Sequence, residues 1–347
     1  MFVIHLPQCI YTHFRSSCQS NHSLYFYKKF KLICLIFIIR ASTHNINFCM
    51  SKLLTVLLVF LMITPTLAAQ DLVHWQDLLD AETTRSFERI QVGTDSLQFA
   101  DLWLPDGEGP HPVVILIHGG CWQSIYPGVA LTNPMADALA RDGFAVWNVE
   151  YRRLGDDGGA YPGTFLDVAQ SADFLREIAE INHLNLDLVI ASGHSAGGHL
   201  ATWLASRKNI SPESPLYKSN PLQIHQSISL AGINNLEEYA RYGSAPCGEK
   251  TVEKLVDYLN RESPFLDTSP AELLPFSASH VEISAAFDSP VPPFFGRNFV
   301  RQVQNSGGNA SLILQPEAGH YEMTAPWTHE WNQVLDLFRQ SIIPIPE

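Results

Sequence analysis

Apolar and polar positions change periodicity along the chain, and each change marks a predicted strand or helix. Residues 86–92 and 97–104 alternate in part around a Gly-Thr-Asp turn, which predicts an antiparallel hairpin. Continuous apolar runs at 113–117, 144–149 and 186–191 predict strands that are buried on both faces of a parallel sheet. The folded part of the chain is therefore expected to open with a hairpin and to continue with buried strands.

Helical patterns separate these strands. Asn133 is predicted to cap a helix that has Pro134 in its first turn and runs to Arg141. Apolar residues spaced by three and four predict a second helix from residue 162, and a third helix follows residue 195. Later strands are predicted at 225–230, 281–287 and 311–315, with a final helix at 327–340. This alternation predicts an α/β fold with a mostly parallel sheet and helices on both faces.

One segment, residues 231–280, interrupts the alternation. It holds two short helical patterns and a proline-rich stretch between two predicted strands. We interpret it as a helical cap inserted at the edge of the sheet where active sites lie. Since no internal repeat occurs, residues 70–347 are predicted to form a single domain that includes this cap.

Charge is distributed unevenly over the 347 residues. Residues 1–70 contain six Lys or Arg and no Asp or Glu, so they carry +6 and the remainder carries −19, which gives the net charge of −13. A basic leader ahead of an acidic domain is typical of a targeting segment. The acidic domain lacks the basic patch that binds nucleic acid, so no nucleic-acid partner is expected.

Met50 begins a predicted signal peptide, residues 50–69. A lysine precedes an apolar run that is short for a transmembrane helix, and small residues follow at a typical cleavage position. This pattern predicts a secreted or periplasmic protein with no stable membrane span in its mature form. We interpret residues 1–49 as a translated upstream region. The alternative is a membrane anchor formed by the apolar runs at 32–39 and 53–67.

Two of the six cysteines, Cys121 and Cys247, lie in the predicted domain, and the others precede Met50. In an exported protein these two can form a disulfide bond that ties the cap to the core. Sequence gives no distance between them, so the pairing stays open. Because the chain has no Cys-x-x-Cys pair, no His-Glu-x-x-His motif and no P-loop, we expect no metal and no cofactor.

The stretch Gly193-His194-Ser195-Ala196-Gly197 stands between a predicted buried strand and a predicted helix. This order is the context of a nucleophile elbow, a strained turn that exposes the serine hydroxyl. A serine becomes nucleophilic when a base takes its proton and a third group orients that base. Ser195 is therefore the candidate nucleophile, and the alternative is a glycine-rich turn without chemistry.

Chain order selects the partners of Ser195. In folds with such an elbow, the acid and then the histidine follow the serine along the chain. Asp288 follows the strand predicted at 281–287, and His320 follows the last predicted strand. Both positions lie just past the carboxyl ends of strands, where sites in parallel sheets assemble. We predict Asp288 as the acid and His320 as the base, with Asp267 of the cap as a rival acid.

His118-Gly119-Gly120 follows the first buried strand. A tetrahedral intermediate needs donors that are already in place for its oxyanion. The backbone N–H groups of Gly119 or Gly120, together with that of Ala196, are predicted to form this oxyanion hole. His118 is expected to hold the loop by hydrogen bonds rather than to act in proton transfer.

Aromatic residues near these loops predict an apolar substrate pocket. Trp122, Tyr126 and Tyr161 are the candidate substrate-binding residues, although aromatic residues at loop ends also pack in cores. Four more aromatic residues are candidates for the same pocket, namely Tyr239, Tyr242, Phe294 and Phe295. Such a pocket favours small neutral acyl groups.

Four stretches together resemble the α/β-hydrolase superfamily. They are HGGCW at 118–122, EYRR at 150–153, YPGTFLDV at 161–168 and GHSAGGHLA at 193–201. Within the superfamily, the chain resembles the HGG-bearing esterase and kynurenine formamidase-like group of the BD-FAE type, from about residue 86 to the C-terminus. The resemblance implies a triad of Ser195, Asp288 and His320 and an oxyanion hole near Gly119, Gly120 and Ala196. The strand before the acid usually ends in glycine in this group, whereas this chain has Ala285-Ala286-Phe287.

These observations lead to three functional hypotheses. The first is a serine hydrolase that cleaves small carboxylic esters through an acyl-enzyme. The second is an arylformamidase, which hydrolyses N-formylkynurenine; most members of the resembling group are intracellular, whereas this chain carries an export signal. The third is a non-catalytic binding protein on a hydrolase scaffold, which the complete set of catalytic residues argues against. The expected partner is thus a small ester or formamide.

Overall fold

A computed structural model describes residues 72–243 and 245–342. The strands are β1 Glu88–Gln91, β2 Phe99–Trp103, β3 His111–Ile117, β4 Ala145–Val149, β5 Leu184–His194, β6 Gln226–Leu230, β7 Ser279–Ala285 and β8 Ala310–Gln315. The α-helices are α1 Trp75–Asp80, α2 Asn133–Arg141, α3 Gly163–Ile178, α4 Ala196–Ser206, α5 Leu236–Tyr242, α6 Thr251–Leu255, α7 Phe294–Asn305 and α8 His329–Ser341. The predicted signal peptide and the residues before it lie outside the described ranges.

The eight strands form one sheet in the order β1-β2-β4-β3-β5-β6-β7-β8. The first two strands form the predicted antiparallel hairpin, and β2 pairs antiparallel with β4. All pairings from β4 through β3 to β8 are parallel. The carboxyl ends of these strands therefore meet at one edge, which is where the loops after β3, β5, β7 and β8 lie.

The central strands are buried because helices cover both faces of the sheet. Every residue of β4 is buried, and so are the last five residues of β3. Helix α4 packs closely against the end of β3: a Cβ atom added to Gly197 would lie 2.0 Å from the carbonyl oxygen of Ile117. Only glycine fits there, because the helix starts in contact with the end of β3.

Two short helices and several turns occupy the segment between β6 and β7. Helices α5 and α6 lie there, and a 3-10 turn at Pro270–Glu272 precedes β7. Strand β7 begins at Ser279, so the inserted segment spans residues 231–278, two residues shorter than predicted. Helix α7, between β7 and β8, was not predicted as a separate element. Among the described helices, none is both long and apolar enough to cross a membrane.

Candidate active site

Ser195 lies at the turn between β5 and α4. Its backbone angles are φ 56° and ψ −118°, outside the regions that non-glycine residues usually occupy. The turn is fixed by a 2.8 Å hydrogen bond from the Ser195 N–H to the carbonyl of Leu230. Such strain persists only where the surrounding structure holds it, and it is typical of functional sites. The geometry matches the predicted nucleophile elbow.

His320 lies in the loop after β8 and lines the same cavity as Ser195. Its Nδ1 atom lies 2.7 Å from Oδ2 of Asp288, in the loop after β7. The other oxygen of Asp288 accepts a 2.7 Å hydrogen bond from the N–H of Val291. Both carboxylate oxygens are thus held, and one of them orients the His320 ring. The structure brings together the predicted acid and base.

Asp267, the rival acid, lies elsewhere. Its carboxylate pairs with Arg261 at 2.5 Å and accepts hydrogen bonds from Ser214 and Tyr161. These contacts occupy both oxygens of Asp267 and tie the β6–β7 segment to the loops beside it. Asp288 is therefore the carboxylate that contacts His320.

A second histidine, His194, lies against His320. Its Nε2 atom lies 2.8 Å from the backbone carbonyl of His320, and the two rings are 4.3 Å apart between centroids. Burial and the neighbouring His320 lower the pKa of His194 well below its usual value, although the carbonyl contact acts in the opposite direction. A neutral ring that donates from Nε2 fits these contacts. His194 thus fixes the backbone of His320.

The loop after β3 lies directly over the elbow. Gly119 and Gly120 line the cavity, and a Cβ atom added to Gly119 would lie 2.8 Å from the His194 carbonyl oxygen and 3.3 Å from Cβ of Ser195. Ala196 is the first residue of α4, where backbone N–H groups have no partner within the helix. The predicted oxyanion donors therefore flank the serine.

His118 fixes this loop through both ring nitrogens. Nδ1 contacts the carbonyl of Gly119 at 2.8 Å, and Nε2 contacts Oε1 of Glu150 at 2.9 Å. The ring stacks on Tyr151, whose hydroxyl donates to the His118 carbonyl. These contacts agree with the predicted structural role of His118.

Glu150 is a buried carboxylate behind the loop. Burial alone would raise its pKa, but the hydrogen bond and charge of His118, the charge of Arg153 and the Tyr151 N–H outweigh burial and lower it to about 2. Its second oxygen accepts a hydrogen bond from the N–H of Val129. Glu150 thus holds His118 and the 3-10 turn at Gly128–Thr132 in one arrangement.

The loop after β3 is also joined covalently to the β6–β7 segment. Cys121 and Cys247 form a disulfide bond with their Cα atoms 5.4 Å apart. Beside it, Nε2 of Gln123 donates to the carbonyl of Cys247 at 2.7 Å. The bond that sequence left open is present, and it connects the residue after Gly120 to the inserted segment.

Only one of the three candidate substrate-binding residues lines the cavity, namely Tyr126. Cys121 and Trp122 both have positive φ angles, which turn the chain so that the Trp122 side chain is fully buried. Its indole N–H donates a hydrogen bond to Nδ1 of His199. Tyr161 packs against the Arg261 guanidinium and donates to Asp267. We therefore correct the prediction for Trp122 and Tyr161, whose contacts are structural.

The other aromatic candidates also lie outside the cavity. Tyr239 is buried and donates to the carbonyl of Pro290, whereas Tyr242 is exposed. Phe294 and Phe295 begin α7, and their rings pack against each other in a tilted arrangement with centroids 4.1 Å apart.

The cavity itself is small, about 70 Å³. Its walls carry no Asp, Glu, Lys or Arg side chain; besides the residues already named they include Trp75, Leu78, Leu131, Thr132, Pro246, Pro290, Tyr321 and Thr324. Sequence reasoning missed Trp75 and Leu78 of α1, although their spacing of three residues is a helical signal. No group of three or more His, Cys, Asp or Glu residues in the described part of the chain could hold a metal ion.

Comparison with known proteins agrees with this architecture. The BD-FAE family model matches residues 100–274. The chain belongs to the BD-FAE family. Its sheet order and elbow are those of the α/β-hydrolase fold, as the resemblance implied.

A curated relative is the probable carboxylic ester hydrolase LipM of Mycobacterium tuberculosis. It is 26% identical over 215 residues, which cover 59% of this chain and 48% of LipM. The chain thus aligns with about half the length of that relative.

Two solved esterases share the fold. Esterase B from Lactobacillus rhamnosis (HN001) has a TM-score of 0.65 and 19% identity, covering 77% of this chain and 89% of its own. The thermophilic esterase Est2 of Thermogutta terrifontis, with propionate bound, has a TM-score of 0.59 and 19% identity. The match covers 74% of this chain and 93% of the Est2 chain.

Proposed function

We propose that this BD-FAE family member is a serine hydrolase that cleaves small carboxylic esters through an acyl-enzyme. The observation that carries the proposal is the 2.7 Å contact between His320 Nδ1 and Asp288 Oδ2, with His320 and the strained Ser195 in one cavity. LipM, a relative of this chain, is named for the same activity. The fold shared with esterases gives independent support.

The proposed reaction has two steps. His320 takes the proton of Ser195 as Oγ attacks the ester carbonyl carbon, and then passes the proton to the alcohol oxygen as the bond to the alcohol breaks. A water molecule, activated by His320, then attacks the acyl-enzyme and releases the acid and free Ser195. Asp288 orients the ring and stabilises its charged form in both steps.

The oxyanion of each tetrahedral intermediate is proposed to be bound by backbone N–H groups of Gly119 or Gly120 and of Ala196. Donors that are fixed before the reaction need no reorganisation when negative charge develops on the carbonyl oxygen. The rigid hold of His118 and Glu150 on the loop supports this role.

A neutral, short acyl group fits the cavity. Its walls are uncharged, and its volume of about 70 Å³ is far below the roughly 300–1,000 Å³ of common ligand pockets. Est2, which shares the fold, was solved with propionate bound, a short acid of the same class.

A fluorophosphonate probe tests the nucleophile directly. We expect the wild-type protein to become covalently labelled and Ser195→Ala to stay unlabelled, with Ser192→Ala as a matched serine variant that still reacts. Ser192 precedes the elbow in β5 and donates to the Ile228 carbonyl, away from the reaction. Labelling that persists in Ser195→Ala contradicts the assignment, and no labelling of the wild type supports the non-catalytic hypothesis.

Arylformamidase activity is the second candidate, because a cavity of this size also fits a formyl group. Catalytic efficiency on N-formylkynurenine is to be compared with that on p-nitrophenyl butyrate. The ester proposal expects the butyrate to be preferred or equal. A preference of about a hundredfold for the formamide would replace it with this second candidate.

We further propose that the protein is exported and processed at the predicted signal peptide, residues 50–69. The charge change after residue 70 fits a targeting segment, and the disulfide bond fits an oxidising compartment. N-terminal sequencing of protein expressed from the full reading frame is expected to give a terminus at Ala69 or Gln70. Retention of residues before Met50 would contradict this interpretation and favour the membrane-anchor alternative.

A further inference from the structure

A short segment at the start of the described chain, residues 72–80, packs against the catalytic loops. The N–H of Val73 donates to Oε1 of Glu322 at 2.7 Å, and the N–H of Gly319 donates to Oε2 at 2.8 Å. Glu322 is only 4% exposed. One buried carboxylate therefore joins this segment to the residue immediately before His320.

Helix α1 within the segment has one apolar face. Trp75 and Leu78 are three residues apart, so they lie on the same side of the helix, and both line the cavity. Leu78 is 2% exposed, whereas Gln76 and Asp77 on the other side face solvent. The helix thus contributes apolar surface to the site and places its charges outside.

The two sides of the cavity differ in burial. Leu78, Leu131 and Thr132 form a closed side and are all below 10% exposure; Leu131 and Thr132 belong to the 3-10 turn against which α1 packs, and Trp75 of α1 is half-buried. The other side is formed by Pro246, which is exposed, and Pro290, which is half-buried. An ester bound at Ser195 must release its alcohol to solvent while its acyl group stays attached. The open side therefore suits the alcohol and the closed side the acyl group.

We propose that Trp75 and Leu78 are specificity-determining residues that limit the length of the acyl chain. This inference rests on the proposed esterase function. In it, the acyl group on Ser195 Oγ extends towards α1, and each added methylene meets the side chains of Trp75 and Leu78. An apolar wall discriminates between acyl chains at about 10- to 200-fold per methylene.

The test uses p-nitrophenyl acetate, butyrate and hexanoate with the wild type and three single variants. Trp75→Ala and Leu78→Ala remove the wall, and we expect the ratio of hexanoate to acetate kcat/KM to rise at least tenfold in one or both. Leu79→Ala is the matched control, since Leu79 lies in the same helix but is 39% exposed and does not line the cavity. Its ratio should stay within twofold of the wild type.

Leu78→Phe provides the opposite change and guards against loss of folding in Leu78→Ala. The larger ring should lower the butyrate to acetate ratio at least fivefold. A parallel series of acetate esters with longer alcohols should show no change in any α1 variant. Unchanged acyl ratios in both Trp75→Ala and Leu78→Phe, or changes confined to the alcohol series, would overturn the inference.

Failure of this inference and failure of the proposed function give different results. If hydrolysis is abolished by Ser195→Ala but the acyl ratios do not move, only the role of α1 is wrong. If hydrolysis persists in Ser195→Ala, the function itself is wrong, whatever the ratios.

Discussion

Cys121 and Cys247 are bonded across 126 residues of sequence, so the loop that carries Gly119 and Gly120 is covalently tied to the segment between β6 and β7. The bond does not act alone: Gln123 and Thr251 both hydrogen-bond to the carbonyl of Cys247. The disulfide bond and these hydrogen bonds together hold the Gly119–Gly120 loop against the segment between β6 and β7.

Loss of the disulfide bond is expected to reduce stability and activity together. Cys247→Ser should lower the free energy of unfolding by about 2–4 kcal/mol, since the unfolded chain gains freedom when a long loop opens. Urea denaturation with and without dithiothreitol measures the change. In the variant with both cysteines replaced by serine, the reductant should have no effect. A wild-type stability that does not respond to complete reduction would contradict this prediction.

Asp288→Asn is expected to lower kcat sharply while the protein stays folded. An amide can hold the wrong tautomer of His320 and cannot stabilise its charged form, which costs about 10⁴-fold in a comparable triad. We expect a loss of about 10³- to 10⁴-fold with little change in KM. Asp267→Asn is the control: it breaks the pair with Arg261 and should affect stability more than kcat. The reverse result would move the catalytic acid to Asp267.

Gly119→Ala tests the oxyanion loop. The added methyl group would lie 2.8 Å from the His194 carbonyl oxygen, so the loop must shift away from Ser195. Displacing one donor of this kind is expected to lower kcat by about 10²- to 10³-fold. Gly93→Ala is a suitable control, because the added methyl group would displace the Gln98 side chain in the turn between β1 and β2, and Gly93 does not line the cavity. Equal kcat values for the two variants would count against the assigned loop.

Acid should weaken the fold through Glu150. Its pKa is lowered from 4.5 to about 2 in the folded protein, so its ionised form contributes stability above pH 4.5 that is lost as the pH falls towards 2. Glu150→Gln removes this titration. We therefore expect the variant to be less stable than the wild type at pH 7, by a margin that shrinks below pH 4.5.

Because the pKa of His194 is lowered, the free energy of unfolding falls below pH 6.5, equally in the wild type and in Glu150→Gln. This contribution therefore cancels in the difference between the two proteins. Urea denaturation at pH 7, 5 and 3 measures the margin between them. A margin independent of pH would show that Glu150 is not held ionised by its neighbours.

The strands could be predicted from the sequence where both faces of the sheet are buried. The runs that became β3, β4 and β5 are almost entirely apolar because helices cover both faces, so composition alone marks them. Helix α7 was missed even though Phe295, Phe299 and Val303 repeat every four residues. Three prolines directly precede the helix, at positions 290, 292 and 293, and this proline-rich stretch predicts a loop.

The candidate catalytic residues could be predicted because chain order restricts them, and the structure brings Asp288 to His320 as expected. The residues that line the pocket could not be predicted, because the sequence around an aromatic residue at a loop end does not show whether its side chain faces the substrate or the core. Two positive φ angles turn Trp122 inwards, and an ion pair holds Tyr161. Those contacts are made over long separations in sequence, and no local pattern encodes them.

The buried carboxylate of Glu322 has a consequence for where the folded chain can be shortened. Glu322 anchors the segment that contains α1. The family model matches residues 100–274, so α1, Asp288 and His320 all lie outside the matched range. Exchange or loss of the first described residues would remove the Val73 N–H from Glu322, whose other oxygen holds the N–H of Gly319 beside His320. Recombinant forms that begin at the hairpin would lack this helix, and kinetic comparisons between relatives would then compare sites with different walls.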